Sequence, residues 1–505
     1  MPRNRLLFTL IVLVACGPFE PDPTGPGGGG PGPGDPAVAV PFRIGSINDE
    51  EIRAVASAGS DIVVSGWFTG TLDFDPRVTA TGRTSQGGQD IFVARYSDAG
   101  ELRWVSSLGG SDAEVPHSIA ATVDGGVVVV GYGRGGGLCG SGVLAGQGGR
   151  DILIARFDNS GNCIWGHLVG GSDDDEARAV AIDVDGSIVV AGLFRGTADF
   201  APGGATAVLQ SRGGSDAFIA RYDEDGTLID VVQGGGSDDD LFSAVMITSD
   251  GDITAAGEFR GTSTFGSTLA PVVLQSVGGS DIVVARYTEL MGLRWAVRAG
   301  GQGQDRATTI AAAPDQSALV AGTFEATADL DGGPGAVLVV SRGAADAFVA
   351  RYRADDGAWD GLGVAFGGGG SEGITTLMRH GSGHLILGGW FQESVDFDPG
   401  PGATIRVARG TGGGGDAFLA GFTPDGEFRW VTPIGATVAG QTTIAFGAAE
   451  DQAGTIWTGG RFYGRADFDP SDTAVELLAT GASDAFLVRY SGETGALLVT
   501  PLPEE

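Results

Sequence analysis

No lysine occurs anywhere in the 505 residues; all thirty basic residues are arginine. That excludes the phosphate-cradling P-loop lysine, Schiff-base lysines and every other step that needs a lysine amine. Histidine and cysteine are scarce too. Four histidines (His117, His167, His380, His384) and three cysteines (Cys16, Cys139, Cys163) are all that could serve imidazole or thiolate chemistry. Positive charge is short overall, with 30 Lys+Arg against 63 Asp+Glu and a net charge of −33 at pH 7. Such a balance argues against a nucleic-acid partner, because that affinity comes mainly from neutralising phosphates. No helical period runs through the apolar residues, and none of their runs is long enough to span a bilayer as a helix. What is plentiful is glycine, 91 residues, together with a hydrophobic content of 42% that is ample for a packed core.

The chain opens MPRNRLLFTLIVLVAC. Arg3 and Arg5 precede a short apolar stretch, Leu6 to Val14, the layout of a secretory signal. Leu13-Val14-Ala15-Cys16 resembles the bacterial lipobox. The resemblance implies that residues 1–15 are a lipoprotein signal peptide and that Cys16 is lipidated as the mature N-terminus. Several acyl chains on one residue make attachment stable. Gly17 rather than Asp after the cysteine implies, by the same resemblance, the outer membrane of a bacterial envelope. Residues 16–36, nearly all Gly and Pro after the cysteine, have little to bury and read as a tether.

From residue 37 to 505 one unit recurs. Its clearest anchor is a strand-like segment opening with Asp: DIFVARY at Asp90, then equivalents at Asp151, Asp216, Asp281, Asp346, Asp416 and Asp484. The spacings are 61, 65, 65, 65, 70 and 68 residues. A period of this size marks a solenoid, an array or a propeller and overrides a length-based domain count. Each unit reads as four strands: AVAIDVDG-like, then across a tight Asp-Gly turn SIVVAGLF-like, a longer loop, the Asp-initiated strand, another turn and a fourth strand. The expected fold is therefore all-β, a seven-bladed β-propeller of about 65-residue four-stranded repeats, with a linear β-solenoid as the alternative. Fourth-strand-like segments stand at both ends, Phe42–Ser46 and Ala496–Thr500, so one of them can complete a blade begun at the opposite terminus. The blade pattern resembles bacterial SBBP-type seven-bladed β-propeller repeat proteins over about residues 40–500. That resemblance implies a fold and is nearly silent on activity.

Alternating connections put the Asp-Gly turns on one face and the long loops on the other. The long-loop face is expected to be acidic. Its crossings carry Asp173, Asp174, Asp175 and Glu176 in one unit and Asp238, Asp239 and Asp240 in the next. The second-to-third loops carry a DFDPG-like element, as at Asp396 and Asp398. Asp-x-Asp pairs beside glycine supply the oxygen ligands Ca²⁺ takes; the competing reading is that these aspartates accept backbone N–H bonds in turns. No complete twelve-residue calcium loop occurs. The seven strand-opening aspartates suit architecture, since catalysis needs one special site.

Gly369-Gly370-Ser371-Glu372-Gly373 fits G-x-S-x-G, yet it stands where other units have GGSDDDE, and no helix pattern follows as a nucleophile elbow requires. His380 and His384 flank a tight turn and could share a metal ion, though zinc wants three or four ligands. His117 and His167 read as ordinary polar residues. Cys139 and Cys163 form an even pair outside the cytoplasm, which favours a disulfide, while Cys163 also occupies a position filled by Leu102 and Leu228 elsewhere. The expected function is a surface lipoprotein whose propeller binds a protein or glycan, with Ca²⁺ as a stabilising ion. The alternatives are a polysaccharide lyase or hydrolase using loop carboxylates, or a passive structural component of the envelope.

Overall fold

The computed structural model describes residues 41–498, apart from 76–80, 141, 202, 204–205, 268, 334, 411–414, 439, 470 and 472–473. Cys16, the signal segment and the tether lie outside the described residues. The described chain is all-β, with no helix. Seven antiparallel sheets follow one another, one per repeat. The third is typical: Glu176–Ile182, Ile188–Asp199, Val208–Tyr222 and Leu228–Gly236, each paired to the next. Both faces of its second strand are buried, which is why such strands read as unbroken apolar runs rather than alternating ones.

The core is divided into seven hydrophobic clusters, each lying between two consecutive sheets. Val63, Ile91 and Leu153 join the first sheet to the second; Leu319, Val349 and Leu387 join the fifth to the sixth. The series returns on itself, because Ile62 and Phe92 of the first sheet pack with Ala449, Trp457 and Leu487 of the seventh. The seventh repeat supplies three strands of its own sheet. The fourth comes from the other end of the chain, with Phe42, Arg43 and Ile44 opposite Leu487, Phe486 and Ala485. Leu497 bridges Tyr490 farther along the same edge. Both fourth-strand-like segments therefore share that edge, where the sequence reading asked for one.

A recurrent bond ties neighbouring sheets on the turn face. In most repeats the arginine five residues after the strand-opening aspartate bonds a carbonyl in the next sheet's turn, as Arg95 to Gly125 O, Arg156 to Glu224 O, Arg221 to Glu289 O and Arg286 to Gln316 O, while the sixth repeat has Gly421 at this position. Arg489 of the last sheet repeats this to Asp98 O of the first, at 2.7 Å. The same arginines pair with turn aspartates of their own sheet, Arg221 with Asp183 and Arg286 with Asp252. In four repeats the tyrosine that follows reaches a carbonyl 22 residues upstream: Tyr96 to Phe74 O, Tyr222 to Phe200 O, Tyr352 to Leu330 O and Tyr490 to Phe468 O. The Tyr287 hydroxyl is instead buried without a partner, and the second and sixth repeats have Phe157 and Phe422 there.

The second-to-third connections are less loop-like than expected. In the third, fourth, fifth and seventh sheets the two strands run on as a ribbon, past a register slip such as that between Arg195 and Thr197. Each ribbon also pairs briefly with the fourth strand of the preceding sheet, as Gly170 with Asp199. The second sheet has instead a short hairpin, Leu138–Cys139 with Gly142–Val143, and a disulfide joins Cys139 to Cys163 with Cα atoms 5.2 Å apart.

Candidate functional site

The first strand of every sheet slips register by one residue at the same place, for example between Ala177 and Ala179 and between Phe242 and Ala244. A bulge of this kind leaves one residue unpaired and re-aims its side chain. The unpaired residues are Arg53, His117, Arg178, Ser243, Thr308, Thr375 and Phe446. All seven line one cavity of about 200 Å³, bordered by the first strands of all seven sheets. Each bulge lies near the start of its strand, so the ring is close to the long-loop face.

The ring is not chemically uniform. Three consecutive sheets contribute Arg53, His117 and Arg178; the others contribute hydroxyls and a phenyl ring. Thr308 Oγ1 donates to Ile374 O at 2.5 Å and Thr375 Oγ1 to Ala445 O at 2.7 Å, so these hydroxyls lace adjacent first strands together. On the cationic side Glu176 takes Arg178 at 2.6 Å and Arg150 at 2.5 Å, with His117 Nε2 3.7 Å away. Glu51 pairs with Arg53 and, at 2.6 Å, with Arg461. Arg53 and Arg461 lie over the Phe446 ring at 5.1 and 5.7 Å, and Arg150 lies over Tyr132 at 4.5 Å. Four guanidinium groups thus face two carboxylates in a protein that is strongly acidic overall.

Burial, reinforced by the charges of Arg178 and Arg53, pushes His117 down to about 4, so the imidazole is neutral near pH 7. Burial alone would raise Glu176, but His117, Arg178 and Arg150 together hold it down to about 2. His117 Nε2 and the Nε of Arg178 and of Arg461 are buried without a hydrogen-bond partner.

The residues singled out in the sequence are arranged differently. Asp173 to Glu176 do not pool their carboxylates. Asp173 lies by Ser172; Asp174 accepts from Arg150 N; Asp175 accepts from Gly171 N and Arg195 N; Glu176 joins the arginines. Asp238, Asp239 and Asp240 diverge in the same way, to Ser237, to Ser215 with Arg195, and to Gly236 with Ser263. Asp396 caps Asp398 N and Thr404 N, and Asp398 caps Gly400 N. The turn-capping reading describes these aspartates.

Asp175 and Asp240 are fully buried, which the picture of a uniformly acidic face did not anticipate. They belong to a column, Glu50, Glu114, Asp175, Asp240, Asp305 and Glu372, in which each side chain accepts the N–H four residues before it. Beside each stands the strand-opening aspartate of the preceding sheet. These aspartates accept backbone N–H bonds as well, Asp151 from Gln147 N and Asp346 from Arg342 N. The glycine ending each fourth strand, in most sheets the first of a Gly-Gly doublet, makes room for the pair: a Cβ on Gly170 would stand 2.5 Å from Asp175 Oδ2 and 2.7 Å from Asp151 Oδ1.

His380 and His384 meet Glu493, their ligand atoms lying within 4.8 Å of one another, a grouping no other trio of metal-binding side chains matches among the described residues. The hydrogen bonds assign every nitrogen without an ion. Arg429 donates to His384 Nε2 at 2.6 Å, which leaves the His384 proton on Nδ1 facing Ser382 Oγ at 2.9 Å. The Ser382 hydroxyl donates to His380 Nδ1 at 2.6 Å, and His380 Nε2–H donates to Gly454 O at 3.1 Å. A metal on both Nδ1 atoms would need the His384 proton moved to Nε2 against Arg429. His167 stacks on Trp165. Ser371 of the G-x-S-x-G match lies in a bridge to Ala345, with no nucleophile elbow.

A larger cleft of about 550 Å³ lies beside the sixth and seventh sheets, but it is open and its Arg409 is already paired with Asp467 at 3.2 Å.

The mouth ring was missed in the sequence because no single chemistry runs through its seven residues and the bulge breaks the strand phase. The signal that could have found it is the repeat column itself, aligned on the strand-opening aspartates.

No family model matches the chain. A curated relative, the regulatory protein FlaEY of Caulobacter vibrioides, is 25% identical over 452 residues; the match covers 84% of this chain and 44% of that protein, so the chain spans less than half of the relative's length. Among solved structures, a protein of unknown function from Bacteroides caccae is 12% identical with a TM-score of 0.33, covering 68% of this chain and 89% of the other. Sqt1 from Chaetomium thermophilum is 9% identical with a TM-score of 0.32, covering 69% and 96%.

Proposed function

We propose that the seven sheets are the blades of a closed β-propeller that serves as a binding module, held to the outer membrane by a lipid on Cys16 and presenting its long-loop face to a protein or glycan. The ring reading is supported by the core shared between the first and last sheets, by the borrowed strand Phe42–Ile44 and by the Arg489 bond to Asp98. One observation carries the binding reading. Seven equivalent bulge positions open onto one cavity, and three adjacent ones carry Arg53, His117 and Arg178. An evenly repeated ring would be architecture, whereas a polarised one has a direction in which to orient a ligand. The enzyme reading lacks a comparable focus, because the adjacent carboxylates recur at six junctions and are buried.

The test has two arms. Cys16→Ala should move the protein from membrane to soluble fractions; unchanged partition removes the anchor. On glycan and envelope-protein arrays the chain should retain a ligand. Ser243→Trp, which plugs the mouth, should abolish that signal, while Val184→Trp on the turn face should not. Equal loss in both variants, or no ligand at all, would leave a passive envelope component.

A further inference from the structure

The geometry points to a compact oxyanion as what the channel mouth takes: a carboxylate of an acidic sugar or a phosphate group, held by Arg53 and Arg178 on either side of His117. This rests on the reading of the molecule as a binding ring. Arg53 and Arg178 project from equivalent bulges two sheets apart and line the same cavity of about 200 Å³. Both guanidinium charges act on the imidazole between them. Their carboxylate partners, Glu51 and Glu176, are each shared with a second arginine, Arg461 and Arg150. The cluster therefore retains positive charge that no protein carboxylate in it neutralises.

Of the cavity's lining nitrogens, His117 Nε2 and Arg178 Nε are buried without a hydrogen-bond partner, as is the Nε of Arg461 beside Glu51. An unpaired buried donor costs free energy that an incoming acceptor recovers. A guanidinium presents a planar fork that matches carboxylate and phosphate oxygens, and the bonds are charge-assisted. Phe446 and Tyr132 back the arginines and limit water around them. The cavity's volume admits a terminal group and not a polymer, so the rest of a longer ligand would lie across the long-loop face. An exterior as acidic as this one repels anions from elsewhere on the surface, which leaves the mouth as the place where one is favoured.

The full chain is titrated calorimetrically at pH 7 and constant ionic strength with inorganic phosphate, with galacturonate and with neutral galactose. One or both anions should bind and galactose should not; the preferred anion separates the phosphate source from the sugar-acid source. Arg53→Gln and Arg178→Gln should each weaken binding at least tenfold, while Arg406→Gln, an arginine outside the channel, should change it less than twofold. Melting curves of all three variants show whether each remains folded. Binding unaffected by the mouth variants, or no binding of either anion, overturns the oxyanion assignment. If the array ligand of the previous section is still retained in that case, the binding-module reading survives and only the ligand class is wrong.

Discussion

Glu372 is fully buried, accepts one backbone N–H from Gly368, and feels the charge of Asp346. Burial, with the Asp346 charge adding to it, pushes Glu372 up to about 8. The same two causes push Asp175 up to about 7, and Asp240 and Asp305 up to about 6; burial likewise takes Glu50 to about 7. A carboxyl whose folded value is raised holds its proton more tightly folded than unfolded. Its contribution to stability is complete below the unfolded value and is lost as pH climbs through the folded one. The melting temperature should therefore fall between pH 6.5 and 8.5. His117, depressed to about 4, acts with the opposite sign below pH 6.5 and so does not blur that window. Glu372→Gln should flatten the upper part of the slope, leaving the variant at least as stable as the wild type at pH 8.5. A wild-type melting temperature that rises across this range would mean the junction carboxyls are ionised and otherwise compensated. One residue per junction was legible as an acid in the sequence. Which acid of Asp173–Glu176 turns inward was not, because that depends on the neighbouring sheet's aspartate.

At the scale of elements, most of each sheet could be read directly. The Asp-Gly turns, the apolar second strand and the Asp-initiated third strand carry local signals that survive in nearly every repeat. The ribbons did not show, because Val208–Gln210 and its equivalents alternate in the open, with apolar side chains such as Val208, Val273 and Leu338 exposed, and no buried face marks them as strand. The second sheet tests what the ribbon does. It lacks the DFDP element, its third strand ends in Phe157 rather than a tyrosine that could bond such an element, and its connection is stapled to Cys163 through Cys139. The bond spans 24 residues, a loop whose closure entropy is worth roughly 3 kcal/mol. Reduction, or Cys139→Ser with Cys163→Ser, should lower stability by about that amount and raise proteolysis within Gly133–Gly149. A free two-thiol count on denatured, unreduced mature protein would show instead that packing of Cys139 beside Leu144 suffices.

For the whole molecule, the decisive contacts join residues more than 400 positions apart, and no period in a sequence distinguishes a ring from an open stack. Repeats in an open stack depend only on their neighbours in the chain, so a change in the first strand could not reach the last repeat. In this molecule Ile44 lies opposite Ala485, Thr480 bonds Ser46 O, and Ser483 N donates to Asp49 Oδ1 at 2.9 Å. Ile44 is fully buried in the cluster that joins the first sheet to the seventh. Placing a charge there opens both the missing strand and the shared core, at a cost of several kcal/mol. Ile44→Asp should therefore collapse amide-exchange protection at Ala485–Leu487, while the amides of the fourth sheet, Leu241–Ile247 for instance, keep theirs until global unfolding. Protection at 485–487 that is indifferent to Ile44 would make the N-terminal strand an appendage and return the open stack as the better description. The comparison is made on one protein in one experiment, so the fourth sheet serves as its own control for overall stability.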